Sequence, residues 1–123
     1  MKKTWDITAA NDGRVMVVDL DDSCVHIFSE DGDYLDKFKL QGRNYHPRIA
    51  FHQLTEHVVI AVINKEKESV VVVEIFTKDG EFVRSTQIHE EQIDRIAEMT
   101  VTRDGRIAVL LEDIRSAWKV IVI

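Results

Sequence analysis

The apolar residues of the chain come in short runs rich in valine, isoleucine and phenylalanine, not at helical spacing. Asp-Gly pairs and charged clusters separate these runs, and such connectors suit the tight turns of β-hairpins. The first four runs cover residues 7–10, 15–20, 24–28 and 34–40. This pattern predicts four antiparallel strands, each paired with the next.

The same pattern then repeats along the chain. The stretch VHIFSEDGDYLDKF at residues 25–38 returns as VEIFTKDGEFVRST at residues 73–86. Phe28 and Phe76 are 48 positions apart, and Phe76 and Ile123 are 47 apart. Repeats of this length with four short strands are typical of β-propeller blades, which are stable only when packed on one another. The sequence therefore predicts an all-β half-propeller of two complete four-stranded antiparallel blades and an incomplete third.

We expect a single domain over residues 1–123, because a chain of this length can build one core but not two. The first blade covers about residues 5–40, the second about 48–88, and the incomplete third about 97–123. Pro47 marks the entry to the second blade, since proline cannot donate a hydrogen bond to a neighbouring strand. Residues 89–98 carry acids early and isoleucines at nearly helical spacing, so a short helical turn is one of two expectations there.

Composition and charge narrow the classes of function. No apolar run approaches the roughly 20 residues that span a bilayer, so we expect no membrane contact. The single cysteine, Cys24, and the lack of an apolar stretch behind the first lysines favour a reducing, cytoplasmic setting. The net charge of −6 disfavours general attraction to nucleic-acid phosphates, although a local basic patch stays compatible with it.

Residues 7–38, ITAANDGRVMVVDLDDSCVHIFSEDGDYLDKF, resemble an NHL-repeat blade of the kind found in tripartite-motif NHL proteins. The segment from His46 to Ala50 resembles the entry to the next blade, with Arg48 where the family usually has glycine. The resemblance implies a ring of about six blades that binds proteins and, in some members, RNA. It also implies a role in recruiting substrates for a ubiquitin-ligase-like protein. Lactonase-like and WD-repeat propellers stay open as alternatives.

The sequence predicts no catalytic residue, no cofactor and no metal ligand. The five histidines are scattered over different strands and turns without the spacing of a zinc site. We interpret Asp19, Asp21 and Asp22 as residues of a hairpin turn, a position that favours aspartate for its backbone geometry. No serine stands in a triad pattern. A degenerate lactonase-like hydrolase with central carboxylates is the enzymatic alternative.

Binding is predicted at the connector between the first two blades, because function concentrates on loops held by a rigid scaffold. Its cation, amide, aromatic ring and imidazole suit a peptide carboxylate or an unpaired base. Acidic residues share the same expected face, so we prefer a protein ligand over RNA. We name this set the connector surface: Arg43, Asn44, Tyr45, His46 and Arg48.

The last apolar run predicts self-association. It presents an apolar strand whose backbone groups on one side have no partner, which is a template for a further strand or chain. We expect two copies to complete a six-bladed ring as a homodimer, and the alternative is a longer propeller whose missing blades cover this edge. The function expected overall is a non-enzymatic protein-interaction scaffold. The residues of the edge are Trp118, Val120, Ile121, Val122 and Ile123.

Overall fold

The computed structural model describes residues 4–19, 21–41, 44–64 and 70–123, without the side chains of residues 4, 5 and 44–46. In this part of the chain, eleven strands form three antiparallel sheets. None of the described residues belongs to a helix long and apolar enough to cross a membrane. Within each sheet, every strand pairs with the next one along the chain, as predicted.

The three sheets follow one another in sequence, and we call them the first, second and third blades. The first contains β1 (Thr4–Ala9), β2 (Val15–Asp19), β3 (Cys24–Phe28) and β4 (Tyr34–Lys39). The second contains β5 (Asn44–His52), β6 (His57–Asn64), β7 (Val70–Thr77) and β8 (Phe82–His89). The third contains β9 (Ile93–Val101), β10 (Ile107–Asp113) and β11 (Trp118–Val122), with β11 at its edge.

The first strands of the three blades meet along a shared inner line. Strand β1 contacts β5, and β5 contacts β9. The amide of Ile49 in β5 donates a hydrogen bond to Oδ2 of Asp6 in β1 over 3.0 Å. The blades therefore radiate from their inner strands, with β4 and β8 outermost. This arrangement confirms the predicted partial β-propeller of two complete blades and an incomplete third.

The apolar core lies between the blades. Because side chains alternate across a strand, the middle strands of the second blade supply residues to both of its faces. One cluster joins Met16, Val18, Val25 and Ile27 of the first blade to Ile49, Phe51, Val58, Ile60, Val62 and Phe76 of the second. The other joins Val59, Ala61, Ile63, Val71, Val73 and Ile75 to Ile93, Ile96, Met99, Ile107, Val109 and Leu111 of the third.

The helical turn expected within residues 89–98 is wrong, because β9 already begins at Ile93. The pairing of β9 with β10 shifts register twice, and each shift adds a residue to β9 that resets its alternation. As a result the buried side chains of Ile93, Ile96 and Met99 are three positions apart. Two bulges in one strand thus give its buried residues the spacing expected of a helix.

The second blade also begins earlier than expected. Strand β5 starts at Asn44, so Pro47 lies inside a strand and not at its entry. A register shift falls between Tyr45 and Arg48, and an irregular site of this kind tolerates a residue without an amide hydrogen.

Two glycines at equivalent turns give a matched test of packing between blades. Gly32 and Gly80 have φ angles of 90° and 91°. A Cβ at Gly80 would lie 2.7 Å from ring atoms of Phe38 in the first blade, whereas a Cβ at Gly32 would meet nothing within 4 Å. Both alanine variants carry the strain of positive φ, but only Gly80→Ala also crowds a contact between blades. We expect it to cost about 1–3 kcal/mol more than Gly32→Ala.

Urea unfolding of the two variants measures this difference. Equal losses of unfolding free energy would contradict the close contact between Gly80 and Phe38.

Candidate functional site

The connector surface is described only in part. Arg43 lies outside the described residues, and Asn44, Tyr45 and His46 are described only as the backbone of β5. Arg48 is half-buried, and its Nε donates a hydrogen bond to the carbonyl oxygen of Ile96 over 3.2 Å. Arg48 thus joins the second blade to the third, and a ligand at this surface stays a prediction.

The outward face of the third blade, which we call the open face, is not covered by another sheet within the described residues. It carries Trp118, Val120 and Val122, which pair with Glu112, Leu110 and Ala108 of β10. All three β11 side chains are exposed. The β11 row of the open face is therefore apolar and accessible, and the same face also carries Arg95, Glu98 and Glu112.

The other two residues of the predicted edge have different positions. Ile121 packs against the core between the second and third blades. Ile123 exchanges two backbone hydrogen bonds of 2.8 Å with Ile107. The open face is thus formed by alternate residues of β11, and its opposite face belongs to the core.

The equivalent positions of the second blade are covered by the third blade. The equivalent residues of β7 are Val71, Val73 and Ile75. Their register with β6 is the same as that of Trp118, Val120 and Val122 with β10. Val73 is 1% exposed beneath the third blade, whereas Val120 is 61% exposed. The third blade therefore keeps an exposed apolar row at positions that the second blade buries.

The outward face of the first blade carries one exposed isoleucine and two buried polar residues. Ile7 occupies the position of Ile49 and Met99 in the other blades, as their strand pairings show. Ile49 and Met99 are buried, and Ile7 is exposed. Asp19 and His26 lie on the same outward face, and both are buried. The two outward faces of the chain therefore differ in chemistry.

A polar cluster lies at the hairpin between β2 and β3. Nε2 of His26 is 2.9 Å from Oδ2 of Asp22 and 3.8 Å from Oδ2 of Asp19. Nδ1 of the same ring is 2.9 Å from Oη of Tyr34. Asp19 is 1% exposed and His26 is 5% exposed, whereas Asp22 reaches solvent. The structure thus places a histidine that the sequence analysis treated as isolated between two aspartates.

Both aspartates also shape the turn, as predicted. Oδ1 of Asp19 accepts a hydrogen bond from the amide of Asp21 over 2.9 Å, and Oδ1 of Asp22 accepts one from the amide of Cys24 over 3.0 Å. Burial would raise the pKa of Asp22, but the hydrogen bonds from His26 and the Cys24 amide outweigh burial and lower it.

Strand register is the signal that could have revealed this cluster. Val17 pairs with His26 and Asp19 pairs with Cys24, with one pair of residues between them, so the side chains of His26 and Asp19 stand on one face.

A second buried carboxyl group lies between the first and second blades. Glu74 of β7 is 1% exposed, and its Oε1 accepts a hydrogen bond from the amide of Gln41 over 2.8 Å. Its Oε2 is buried and has no hydrogen-bond partner within the described structure. Burial raises the pKa of Glu74, and the hydrogen bond from Gln41 opposes that rise only in part.

A groove of about 470 Å³ follows the inner strands of the three blades. Its charged lining residues are Asp6, Glu98 and Arg103. Two acids and one arginine do not form the cluster of cations that binding to a nucleic-acid backbone requires.

Comparison with known proteins shows a likeness of fold without a family. No family model and no curated protein matches the sequence. The chain resembles a protein of unknown function from Bacteroides caccae, with a TM-score of 0.55 and 10% identity over 98% of this chain and 45% of that one. Virginiamycin B lyase from Staphylococcus aureus gives a TM-score of 0.46 and 12% identity over 96% of this chain and 55% of that one. A streptogramin B lyase gives a TM-score of 0.45 and 10% identity over 95% of this chain and 53% of that one.

The chain spans about half the length of these solved structures. The first likeness shows a shared fold, whereas neither lyase reaches a TM-score of 0.5, and none of the three identities indicates a shared activity. Strand topology and blade packing therefore define the class of this protein, which is a partial β-propeller.

Proposed function

We propose that the chain is a non-enzymatic protein-interaction scaffold whose first partner is a second copy of itself. The apolar row of the open face carries this proposal, because the second blade buries the same positions beneath the third. Burial of such side chains is the main favourable term in most protein association. A blade that covers Val120 would therefore reproduce a contact that already stabilises the fold.

The first blade of a second copy offers the equivalent inner-strand position. Within the chain, an apolar row of the first blade packs on the second blade near Ile49, and a row of the second blade packs on the third near Met99. Ile7 is the equivalent residue of the first blade, and it is exposed. In the proposed dimer, Ile7 of each copy packs on the open face of the other copy. Each copy then contributes both of its outward faces, and the ring closes about a two-fold axis.

Length and strand pairing support the same arrangement. The chain covers 45% of the Bacteroides caccae structure, so two copies supply nearly the length of that chain. Strand β11 pairs only with β10 in the described residues, and its other side offers backbone groups to a strand of the partner.

We extend the proposal to an NHL type of propeller that binds a protein ligand at the connector surface. A recurrent turn supports the NHL type, because Gly13, Gly32, Gly80 and Gly105 have φ angles between 89° and 91° in the Asp-Gly turns of the three blades. The engaged position of Arg48 between two blades supports a rigid platform for such a ligand.

The test introduces a carboxylate into each proposed contact. We expect Val120→Glu and Ile7→Glu each to weaken self-association at least about 100-fold, because an unpaired charge would be buried in an apolar contact. Sedimentation equilibrium gives the dissociation constants. Val83→Glu is the matched control, since Val83 is exposed on a strand of the second blade, away from the open face. It should associate like the unchanged chain.

Mixing the two variants identifies the arrangement. Val120→Glu keeps an intact first blade and Ile7→Glu keeps an intact open face, so the mixture should recover dimers through one intact interface. Impairment by Val120→Glu alone would contradict the ring and indicate that two open faces pack on each other. No impairment by either variant would contradict self-association through these faces.

A further inference from the structure

We propose that Asp19, Asp22 and His26 form a binding site for Zn²⁺ at the hairpin between β2 and β3 of the first blade. One ligand atom from each of the three residues lies within 4.8 Å of the other two, and Nε2 of His26 faces Oδ2 of both aspartates. The site shares the outward face of the first blade with Ile7, and all three of its ligand atoms come from one chain.

The spacing of the three atoms suits a tetrahedral ion. At metal–ligand distances of about 2.1 Å, tetrahedral ligand atoms lie about 3.4 Å apart. Nε2 of His26 lies 2.9 Å from the Asp22 oxygen and 3.8 Å from the Asp19 oxygen, so the two distances bracket that value. Three protein ligands leave a fourth position for water, which can enter beside the partly exposed Asp22.

In each ligand side chain, the polar atom that does not face the proposed ion makes a hydrogen bond to a neighbouring group. The amide of Asp21 fixes Oδ1 of Asp19, and the amide of Cys24 fixes Oδ1 of Asp22. Oη of Tyr34 lies 2.9 Å from Nδ1 of His26. At 2.9 Å from a carboxylate oxygen, Nε2 donates a hydrogen to Asp22. A bound Zn²⁺ would replace that hydrogen, and with hydrogen on Nδ1 the ring would donate to Oη of Tyr34 while the lone pair of Nε2 faces the ion. Metal-binding histidines are commonly oriented by such a second hydrogen bond.

The carboxylate of Asp19 is buried and faces the ring of His26. Oδ1 of Asp19 accepts the hydrogen bond from Asp21, whereas Oδ2 lies 3.8 Å from Nε2 of His26, which is beyond hydrogen-bond distance. Asp19 is nevertheless 1% exposed. A divalent cation would balance the charges of both aspartates.

The blade fold itself does not need this cluster. Strand pairing places Val62 and Glu74 of the second blade, and Leu111 and Ile121 of the third, at the positions of Asp19 and His26. The third blade therefore builds the same hairpin with two apolar residues, and the second blade builds it with one valine and one glutamate.

The ligand set favours Zn²⁺ over the common hard cations. Calcium takes six to eight oxygen ligands and magnesium prefers octahedral oxygen sites, whereas an imidazole with carboxylates suits zinc. We therefore expect binding of Zn²⁺ and of its spectroscopic substitute Co²⁺, but not of Ca²⁺ or Mg²⁺ at the same concentrations.

Isothermal titration of the full chain with Zn²⁺ tests the site. We expect one ion per chain, with an affinity that falls at least about 100-fold in Asp22→Asn and His26→Gln and about tenfold in Tyr34→Phe, which removes only the orienting hydroxyl. Asp21→Asn is the matched control, since Asp21 lies in the same turn but contributes only its backbone amide. Visible absorption of bound Co²⁺ should disappear with the same variants.

Circular dichroism shows whether each variant folds, and Tyr34→Phe keeps the test valid if a ligand variant does not. Absence of Zn²⁺ binding to the unchanged chain would overturn the proposal. Binding that survives Asp22→Asn and His26→Gln unchanged would also overturn it, because the ion would then lie at another site.

Discussion

Phe76→Ala is expected to lower the free energy of unfolding by about 3–5 kcal/mol. Phe76 is buried in β7 at the contact between the first and second blades. Its ring centroid lies 5.0 Å from that of Phe38 in the neighbouring blade and 5.7 Å from that of Phe82. Alanine would leave a cavity between two rigid sheets, which cannot close without moving a whole blade.

Phe82→Ala is the control for this variant. Phe82 lies next to Phe76 on the outer strand, but it is exposed, so its loss should cost about 1 kcal/mol. Chemical denaturation at one fixed protein concentration measures both variants, since the stability of an associating chain depends on its concentration. Similar losses would contradict the central role of contacts between blades.

Glu74→Gln is expected to raise the free energy of unfolding at neutral pH by about 1–3 kcal/mol. The variant keeps an acceptor for the Gln41 amide and removes a buried charge whose Oε2 has no partner in the described structure. The gain should depend on pH, because burial raises the pKa of Glu74 above its ordinary value of 4.5.

The sign of this dependence follows from proton linkage. The folded chain holds the proton of Glu74 more tightly than the unfolded chain, so Glu74 favours folding below pH 4.5. This contribution is lost as the pH rises through the raised pKa. Glu74→Gln and the unchanged chain should therefore have similar stabilities in acid and diverge toward neutral pH.

Denaturation at several pH values checks this divergence, with Glu81→Gln as the control at an exposed glutamate. A constant difference between Glu74→Gln and the unchanged chain across the whole range would contradict a raised pKa.

The fold was largely predictable because it depends on local signals. Asp-Gly turns recur at Gly32 and Gly80, and short apolar strands lie between them, so both the blade and its repeat could be recognised. Apolar rows on both sides of β7 identified a middle strand covered on two faces. These features need only the alternation of side chains and the chemistry of turns.

The features that were not predicted depend on strand register and blade packing, which a single sequence does not reveal. The bulges of β9 gave Ile93, Ile96 and Met99 the spacing of a helix, and only the pairing with β10 shows why. His26 was separated from Asp19 by six residues and looked isolated, although the hairpin register places both on one face. The burial of Glu74 likewise arises from the approach of another blade, at Gln41.

The molar mass of the unchanged chain in solution tests the central claim most directly. Light scattering over a range of concentrations should give twice the 14.2 kDa mass of one chain at micromolar concentrations, with dissociation on dilution. A mass of 14.2 kDa throughout that range would contradict closure of the ring by a second copy.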